Sequence, residues 1–341
     1  MSGRSVMRER IKRFVKARPL LAIPYTVFAR VLRGYIAYAR ILRRFPGEGR
    51  HIYLMDYDGS GDTYVLCSLL CSCGRIQEDD VFIGAGQLTA RIAKLLGFEK
   101  SESVSLDDAL SIRVMERFLG RELRLLPLLY ESWPLEYSGI MRAVQGLHGL
   151  NFMQMLRIGL ESRIGLSYSE ETFVQPGFPC ERAEIDAIFE RFGFIPGQTV
   201  LIAPYAGKGE LFEFTLEFFA ELAQRLKRAG FTVCCNAAPG ELPVPGTVPL
   251  FLKHRMMRGF CARAGVFIGQ RSGLCDIVSA AKGCKLIVLY NREPLIPGLA
   301  SNRTFFSLKN MGLRENTVEL EIDESGNLSE LVNEIMKAVN R

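Results

Sequence analysis

The chain has 341 residues, 48% hydrophobic and 23% charged, a globular balance that excludes collagenous, low-complexity and disordered classes and gives length enough for two domains. The net charge of +6 is uneven: residues 1–50 hold 13 Lys/Arg against 2 acidic residues, leaving 30 basic and 35 acidic residues for the remainder. A basic segment ahead of a mildly acidic body points to an acidic surface, anionic lipid or nucleic acid, and the absence of any aromatic-basic module beside it argues against nucleic acid.

In chain order, the first element is that arm. From Leu20 to Leu42, apolar residues recur three and four apart, interrupted by Arg30, Arg33 and Arg40. This predicts a basic amphipathic helix, which either lies on an anionic membrane or packs on the body with its arginines in solvent. The early apolar run 19–29 contains Pro24 and falls short of the roughly 20 residues a membrane span takes. The long basic lead, the internal proline and the cysteines also argue against a cleaved signal segment.

A strand is expected over 51–55, then a polar loop through Asp56-Tyr57-Asp58-Gly59-Ser60-Gly61-Asp62, and a helix over 63–73. Strand 81–85 and helices 88–96 and 105–119 follow, while 125–165, with the single Trp133, is irregular and is assigned to the acceptor side. A Pro/Gly-punctuated stretch near residue 175 reads as a linker. Beyond a helix ending at 192, a second alternating series runs: strand 199–203, helix 216–229, strand 231–236, helix 255–264, strand 266–269, helix 273–282, strand 285–290, strand 317–322 and a last helix capped by Asn327. Alternation of this kind means parallel sheets covered on both faces, with ligands at the carboxyl ends of the strands. The expected organisation is a basic arm (1–50), an N-terminal Rossmann-like acceptor domain (51–174) and a C-terminal Rossmann-like nucleotide-sugar domain (175–341) facing it across a cleft.

Three places carry candidate chemistry. Strand 266–269 stops at Gln270-Arg271-Ser272-Gly273, where a turn opens a helix whose first amides, at Ser272, Gly273 and Leu274, suit an anion. Arg271 reads as a cationic fork for a diphosphate, against the alternative of an ordinary packed turn. After strand 199–203, Tyr205 leads into Gly207-Lys208-Gly209, so that Lys208 reaches the same diphosphate or lies in a solvated loop. Asp62, beside Gly61 at the start of the first helix of the body, is either a general base or a plain helix cap. A competing pattern is Asp56-x-Asp58, similar to the nucleophile loop of haloacid-dehalogenase-like phosphatases. The nine cysteines have no zinc spacing and only His51, His148 and His254 to complement them, so free buried thiols are expected, with no disulfide and no structural metal.

Over residues 50–340 the chain resembles glycosyltransferase family nine, the heptosyltransferase-like enzymes of the GT-B superfamily. The resemblance rests on Gly61-Asp62, on Ala203-Pro204-Tyr205-Ala206 with Lys208, on Phe218 to Ala223, on Ser272-Gly273-Leu274, and on Tyr290 to Pro297, where Glu293 is a further candidate. It implies a GT-B fold, an inverting transfer without metal or other cofactor, a nucleotide-diphosphate sugar donor on the C-terminal domain, and Asp62 as catalytic base. The expected acceptor is a cell-envelope glycan or glycolipid (lipopolysaccharide, capsule or related), with the basic arm expected to hold a cytoplasmic enzyme peripherally on the membrane beside it. The sequence departs from the family where an aspartate becomes Arg271 and a histidine becomes Asp276, which leaves the donor's base and sugar open. A phosphatase using Asp56 and Asp58 and a non-catalytic GT-B-like binding protein are the alternatives.

Overall fold

A computed structural model describes residues 19–46, 51–57, 59–74, 79–119, 125–127, 150–165, 173–180, 182–206, 211, 213–292, 301–322 and 326–340. The N-terminal half is a parallel four-stranded sheet in the order β3-β2-β1-β4, with β1 Ile52–Met55, β2 Val81–Ala85, β3 Lys100–Val104 and β4 Leu125–Pro127. Its central strands, Ile-Tyr-Leu-Met and Val-Phe-Ile-Gly-Ala, are buried at every position, as strands covered on both faces must be. The edge strand β3, Lys-Ser-Glu-Ser-Val, is absent from the sequence-based expectation. It carries no apolar run, because an edge that faces water can be polar throughout.

The described helices of this half are α2 (Ser60–Ser72), α3 (Gln87–Leu95), α4 (Leu106–Leu119) and α5 (Phe152–Ile164). The chain then crosses through 173–180 to α6 (Arg182–Phe192) and a six-stranded parallel sheet in the order β10-β9-β8-β5-β6-β7. These strands are β5 Thr199–Ala203, β6 Thr232–Asn236, β7 Val248–Leu250, β8 Gly265–Gln270, β9 Lys285–Tyr290 and β10 Thr317–Glu321. Between them lie α7 (Leu216–Arg228), α8 (His254–Ala264), α9 (Gly273–Ser279) and α10 (Asn302–Phe306), and α11 (Leu328–Asn340) ends the fold.

Within the second sheet the strand order reverses between β5 and β8, the doubly wound arrangement in which a crevice opens at the carboxyl ends of those two strands. The short edge strand β7, Val-Pro-Leu, and the helix α10 are additions to the expected elements, and the stretch 125–165, expected to be irregular, holds β4 and the helix α5, which the capping box of Asn151 and Gln154 starts. Pro249 is tolerated because β7 is an edge. Helix α9 stops at Ser279 rather than near 282, since Gly283 turns the chain with φ +79°.

The arm's described part is the helix α1, Pro19–Arg44. One face packs on α4: Ala37 and Ile41 are buried, and a Cβ at Gly34 would overlap the Ser111 carbonyl, so glycine sets how close the two helices lie. Arg30 and Arg33 bond Asp107 at 3.2 and 2.9 Å, Arg33 also bonds Asp108 at 2.7 Å, and Arg44 bonds Glu102 at 2.7 Å. Such exposed pairs contribute at most about 1 kcal/mol each, so the apolar contact is the principal anchor. The arm therefore packs on the body, with part of its arginine complement turned inward. None of the described helices is long and apolar enough to cross a membrane.

One apolar cluster runs through both halves, from Tyr53, Leu66 and Phe152 to Phe260, Val278 and Phe305, and two others lie within single halves, one around Phe219 and Ile335 and one between α1, the first sheet and α4. All nine cysteines are free thiols, and six of them, including Cys67, Cys234 and Cys275, are buried.

Candidate active site at the domain junction

Strand β8 is buried from Val266 to Gln270 because it is central in its sheet. Leaving it, the chain turns through Arg271 and Ser272, and Ser272 takes extended angles (φ −155°, ψ 171°) to start α9 with no side-chain cap on the first amides. On the opposite side, β1 ends at Met55, and Gly59 caps α2, which places Asp62 third in the helix rather than at its cap. Thr63 stabilises this turn by donating to the Gly59 carbonyl at 2.5 Å.

These two helix starts touch. A Cβ on Gly61 would overlap the Cα of Gly273 and the Oδ2 of Asp276; a Cβ on Gly273 would overlap the backbone of Gly61. No side chain larger than hydrogen fits at either position in this arrangement. The crossing segment adds support: Tyr64 donates to the Pro176 carbonyl at 3.4 Å and packs edge-on to Phe178 at 5.7 Å, and Gln175 bonds Ser279 at 2.8 Å. The site is therefore assembled from residues about 200 positions apart in the sequence.

Arg271 departs from its expected place. It is 7% exposed, and its guanidinium grips Asp276 with two bonds, of 2.8 and 3.2 Å, while also donating to the carbonyls of Ser272 (2.6 Å) and Phe306 (2.9 Å). It also lies over the Phe306 ring, 5.5 Å from the centroid. Its donors face the protein, so the reading of a fork presented to a diphosphate is corrected. The reason is burial. A guanidinium without water needs a carboxylate, and one turn of α9 brings Asp276 back under it. Burial works to lower the Arg271 pKa, but the Asp276 carboxylate outweighs it and holds the group charged.

Three charged groups thus share the junction. Burial raises the Asp276 pKa, and Arg271 opposes that rise. Asp62 is pushed up to about 6, first by burial and then by repulsion from Asp276, against the attraction of Arg271 and a bond from its own backbone amide. Its carboxylate folds back over Gly59 and the Tyr57 ring, where a larger residue at 59 would collide with it. A carboxylate at such a pKa is mostly ionised at neutral pH yet a better proton acceptor than a solvated aspartate.

The remaining expected residues divide. Ser272, Gly273 and Leu274 line the turn, and Gly61 faces them. Tyr205 points away from the cluster and donates to the Leu242 carbonyl at 2.6 Å. Lys208, Glu293, Asp58 and Trp133 lie outside the described residues. Asp56 is buried against Arg113 (3.1 Å), which also reaches Glu116 (3.7 Å). As a buried ion-pair partner it is not presented as a nucleophile.

The sequence reading took Gln270 only as part of the turn and did not register Asn291 or Asn302 beside it. The Gln270 amide donates to Asn291 (2.9 Å) and to the Leu211 carbonyl (3.1 Å), Asn302 donates to the Asn291 carbonyl (3.1 Å), and the buried Gln270 Oε1 has no hydrogen-bond partner among the described residues. Buried amides at the carboxyl ends of two adjacent strands are a signal that a position-by-position motif search passes over.

No protein-family model matches the sequence, and no curated protein matches it significantly. Solved structures do match the fold. The ADP-heptose lipopolysaccharide heptosyltransferase II of E. coli is similar with a TM-score of 0.53 at 14% identity, over 85% of this chain and 98% of that one. A glycosyl transferase family 9 protein from Veillonella parvula gives a TM-score of 0.54 at 15% identity, over 85% and 96%. The E. coli heptosyltransferase WaaC with ADP gives a TM-score of 0.51 at 14% identity, over 85% and 99%. At these identities the likeness is one of fold, and in fold the chain is a GT-B protein, two doubly wound parallel sheets meeting across the site just described.

Proposed function

We propose that the protein is an inverting glycosyltransferase that moves a sugar from a nucleotide-diphosphate donor to a cell-envelope glycan acceptor. The observation that carries this reading is the placement of Asp62: an acidic group with a pKa of about 6, at the junction of a GT-B fold, beside the turn that begins α9. Asp62 takes the proton of an acceptor hydroxyl as that oxygen attacks the anomeric carbon. The bond from the anomeric carbon to the diphosphate oxygen breaks on the opposite face, and the pair of electrons leaves with the nucleotide diphosphate.

The departing diphosphate is assigned to the amides of Ser272, Gly273 and Leu274 together with Lys208, the same groups that the family resemblance indicates. Arg271 acts one step back, holding Asp276 and the turn. Solved structures of the same fold whose names include ADP-heptose and ADP support a nucleotide-sugar ligand. A phosphatase has less support, because Asp56 is committed to Arg113.

One observation favours a second reading, nucleotide-sugar binding without transfer: Arg271 and Asp276, at positions where the family pattern has an aspartate and a histidine, are bound to each other. Two measurements separate the readings. Thermal unfolding is followed with UDP, GDP, ADP and CMP conjugates, since a ligand specific to the native state raises its stability by about 2.7 kcal/mol at a hundredfold excess over Kd. Transfer from the stabilising donor to a lipid-linked glycan is then assayed with and without a chelator. Stabilisation and chelator-resistant transfer are expected. Stabilisation with no transfer to any glycan supports the binding protein, and no stabilisation by any nucleotide sinks both readings.

A further inference from the structure

Helix α1 is apolar on more than the face it packs. Val31, Gly34, Ala37, Tyr38 and Ile41 turn toward α4 and the first sheet, whereas Phe28 (66% exposed), Leu32 (49%), Tyr35 (57%) and Ile36 (51%) stand in solvent. The spacing 28, 32, 35, 36 is one continuous helical stripe. The contact with α4 leaves this stripe uncovered, and a contiguous exposed apolar surface of this sort marks a contact with something outside the fold.

The charges follow the same division. Arg30, Arg33 and Arg44 are bound to Asp107, Asp108 and Glu102 on the packed side; Arg40, exposed between the two faces, also attracts Asp108, and Arg43 is exposed at the end of the stripe. The 18 residues before the helix add seven Lys/Arg, from Arg4 to Arg18, and a single acid, Glu9. We propose that the outward face of α1 docks the protein on an anionic lipid bilayer, with Phe28, Leu32, Tyr35 and Ile36 entering the boundary between headgroups and acyl chains and Arg40 and Arg43 meeting lipid phosphates. The proposal is independent of which sugar is transferred, or whether any is.

Other occupants fit less well. Single-stranded nucleic acid is held by cations along its backbone and by aromatic rings under its bases, and the aliphatic centre of this stripe, Leu32 and Ile36, supplies neither. A second copy would set two arms of 13 basic residues each side by side. An anionic bilayer takes both components together, since apolar burial and basic charge add in an interfacial helix.

The test is flotation of the full chain with vesicles of phosphatidylcholine alone and of phosphatidylcholine with about one-third phosphatidylglycerol. Binding at least about tenfold tighter to the phosphatidylglycerol vesicles is expected, weakening with salt. The variant Phe28→Ser/Leu32→Ser/Tyr35→Ser/Ile36→Ser should lose about tenfold or more at every salt concentration, with its circular dichroism and unfolding temperature unchanged. Arg40→Glu with Arg43→Glu should lose a similar factor at low salt only, and this pair decides the matter if the serine variant folds poorly. The proposal is overturned if the unmodified chain ignores phosphatidylglycerol, or if both variants bind as it does, which would place binding in residues 1–18. It is equally overturned if the serine substitutions abolish self-association or oligonucleotide binding while vesicle binding is absent throughout.

Discussion

Each half of the molecule buries an arginine against an aspartate near the carboxyl end of a central strand, and the two pairs do different things. In the N-terminal half Arg113, from α4, reaches Asp56 just after β1 and ties helix to sheet within one domain. In the C-terminal half Arg271 and Asp276 are five residues apart on one turn, and their charges face Asp62 across the domain junction. The first pair is architecture. The second is architecture that also sets the proton affinity of a residue from the other domain. Burial and pairing are alike in both, so neither property identifies a functional charge; the third group beside the first pair, Glu116, comes from the same helix as Arg113, whereas that of the second, Asp62, comes from the other domain.

The largest expected effect separates the aspartates themselves. Asp62→Asn should lower transfer by about 10²–10⁴-fold with donor binding retained, whereas Asp56→Asn should act through stability and leave transfer per folded molecule near the unmodified level. Kinetics normalised to the folded fraction check this, and an active Asp62→Asn would remove the proposed base.

Next in size, Arg113→Ala and Arg271→Ala each remove the ion-pair partner of a buried carboxylate, and each should cost about 3–5 kcal/mol in denaturant unfolding. Replacing both partners of a pair by apolar residues of similar volume should recover most of that loss, since it removes the stranded charge as well. A Arg271→Ala loss well under about 1 kcal/mol would show that the pair is solvated.

The smallest effect is the most discriminating. Transfer should rise with pH as Asp62 loses its proton through about 6. Asp276→Asn removes a repulsion and should move that rise to lower pH; loss of Arg271 removes an attraction and should move it higher. Changes at Asp56 or Arg113 should leave it in place. Stability follows the same group with a definite sign. Asp62 titrates at 3.8 when unfolded and about 6 when folded, so it favours the folded state most below 3.8 and progressively less as pH rises through 6, a slope that Asp62→Asn should flatten.

Much of this architecture was legible in the sequence, for reasons tied to particular elements. Strands such as Thr199–Ala203 and Lys285–Tyr290 are unbroken apolar runs because both faces are covered, and α7 announces itself through Thr215, whose hydroxyl accepts the Phe218 amide at 3.2 Å. The polar edge strand β3 and the short β7 were not legible, because an edge strand has no obligatory pattern. Asp62 was singled out by its place at a helix start and by the family resemblance, the turn at Ser272-Gly273 by its strand-turn-helix order, and the structure brings the two helix starts together. The role of Arg271 was misread because its partners, Asp276, Phe306 and the Ser272 carbonyl, are defined by folding back rather than by a motif. The ion pair of Asp56, a candidate only under the alternative phosphatase reading, was hidden in the same way, with its partner 57 residues further along the chain at Arg113.

The meeting of Gly61 and Gly273 also bears on how a donor gains access. Two backbones in contact form a joint with no spacer, so the proposed donor diphosphate would enter between them only from the fraction of molecules in which the halves had separated. Observed affinity is then the intrinsic affinity scaled by that open fraction. A methyl group at either glycine would act as a wedge. Gly61→Ala is therefore expected to hold the joint apart and strengthen donor binding while slowing transfer, the reverse of what a lesion in a binding site would do. Calorimetric affinity set against single-turnover rates would reveal which of the two it is.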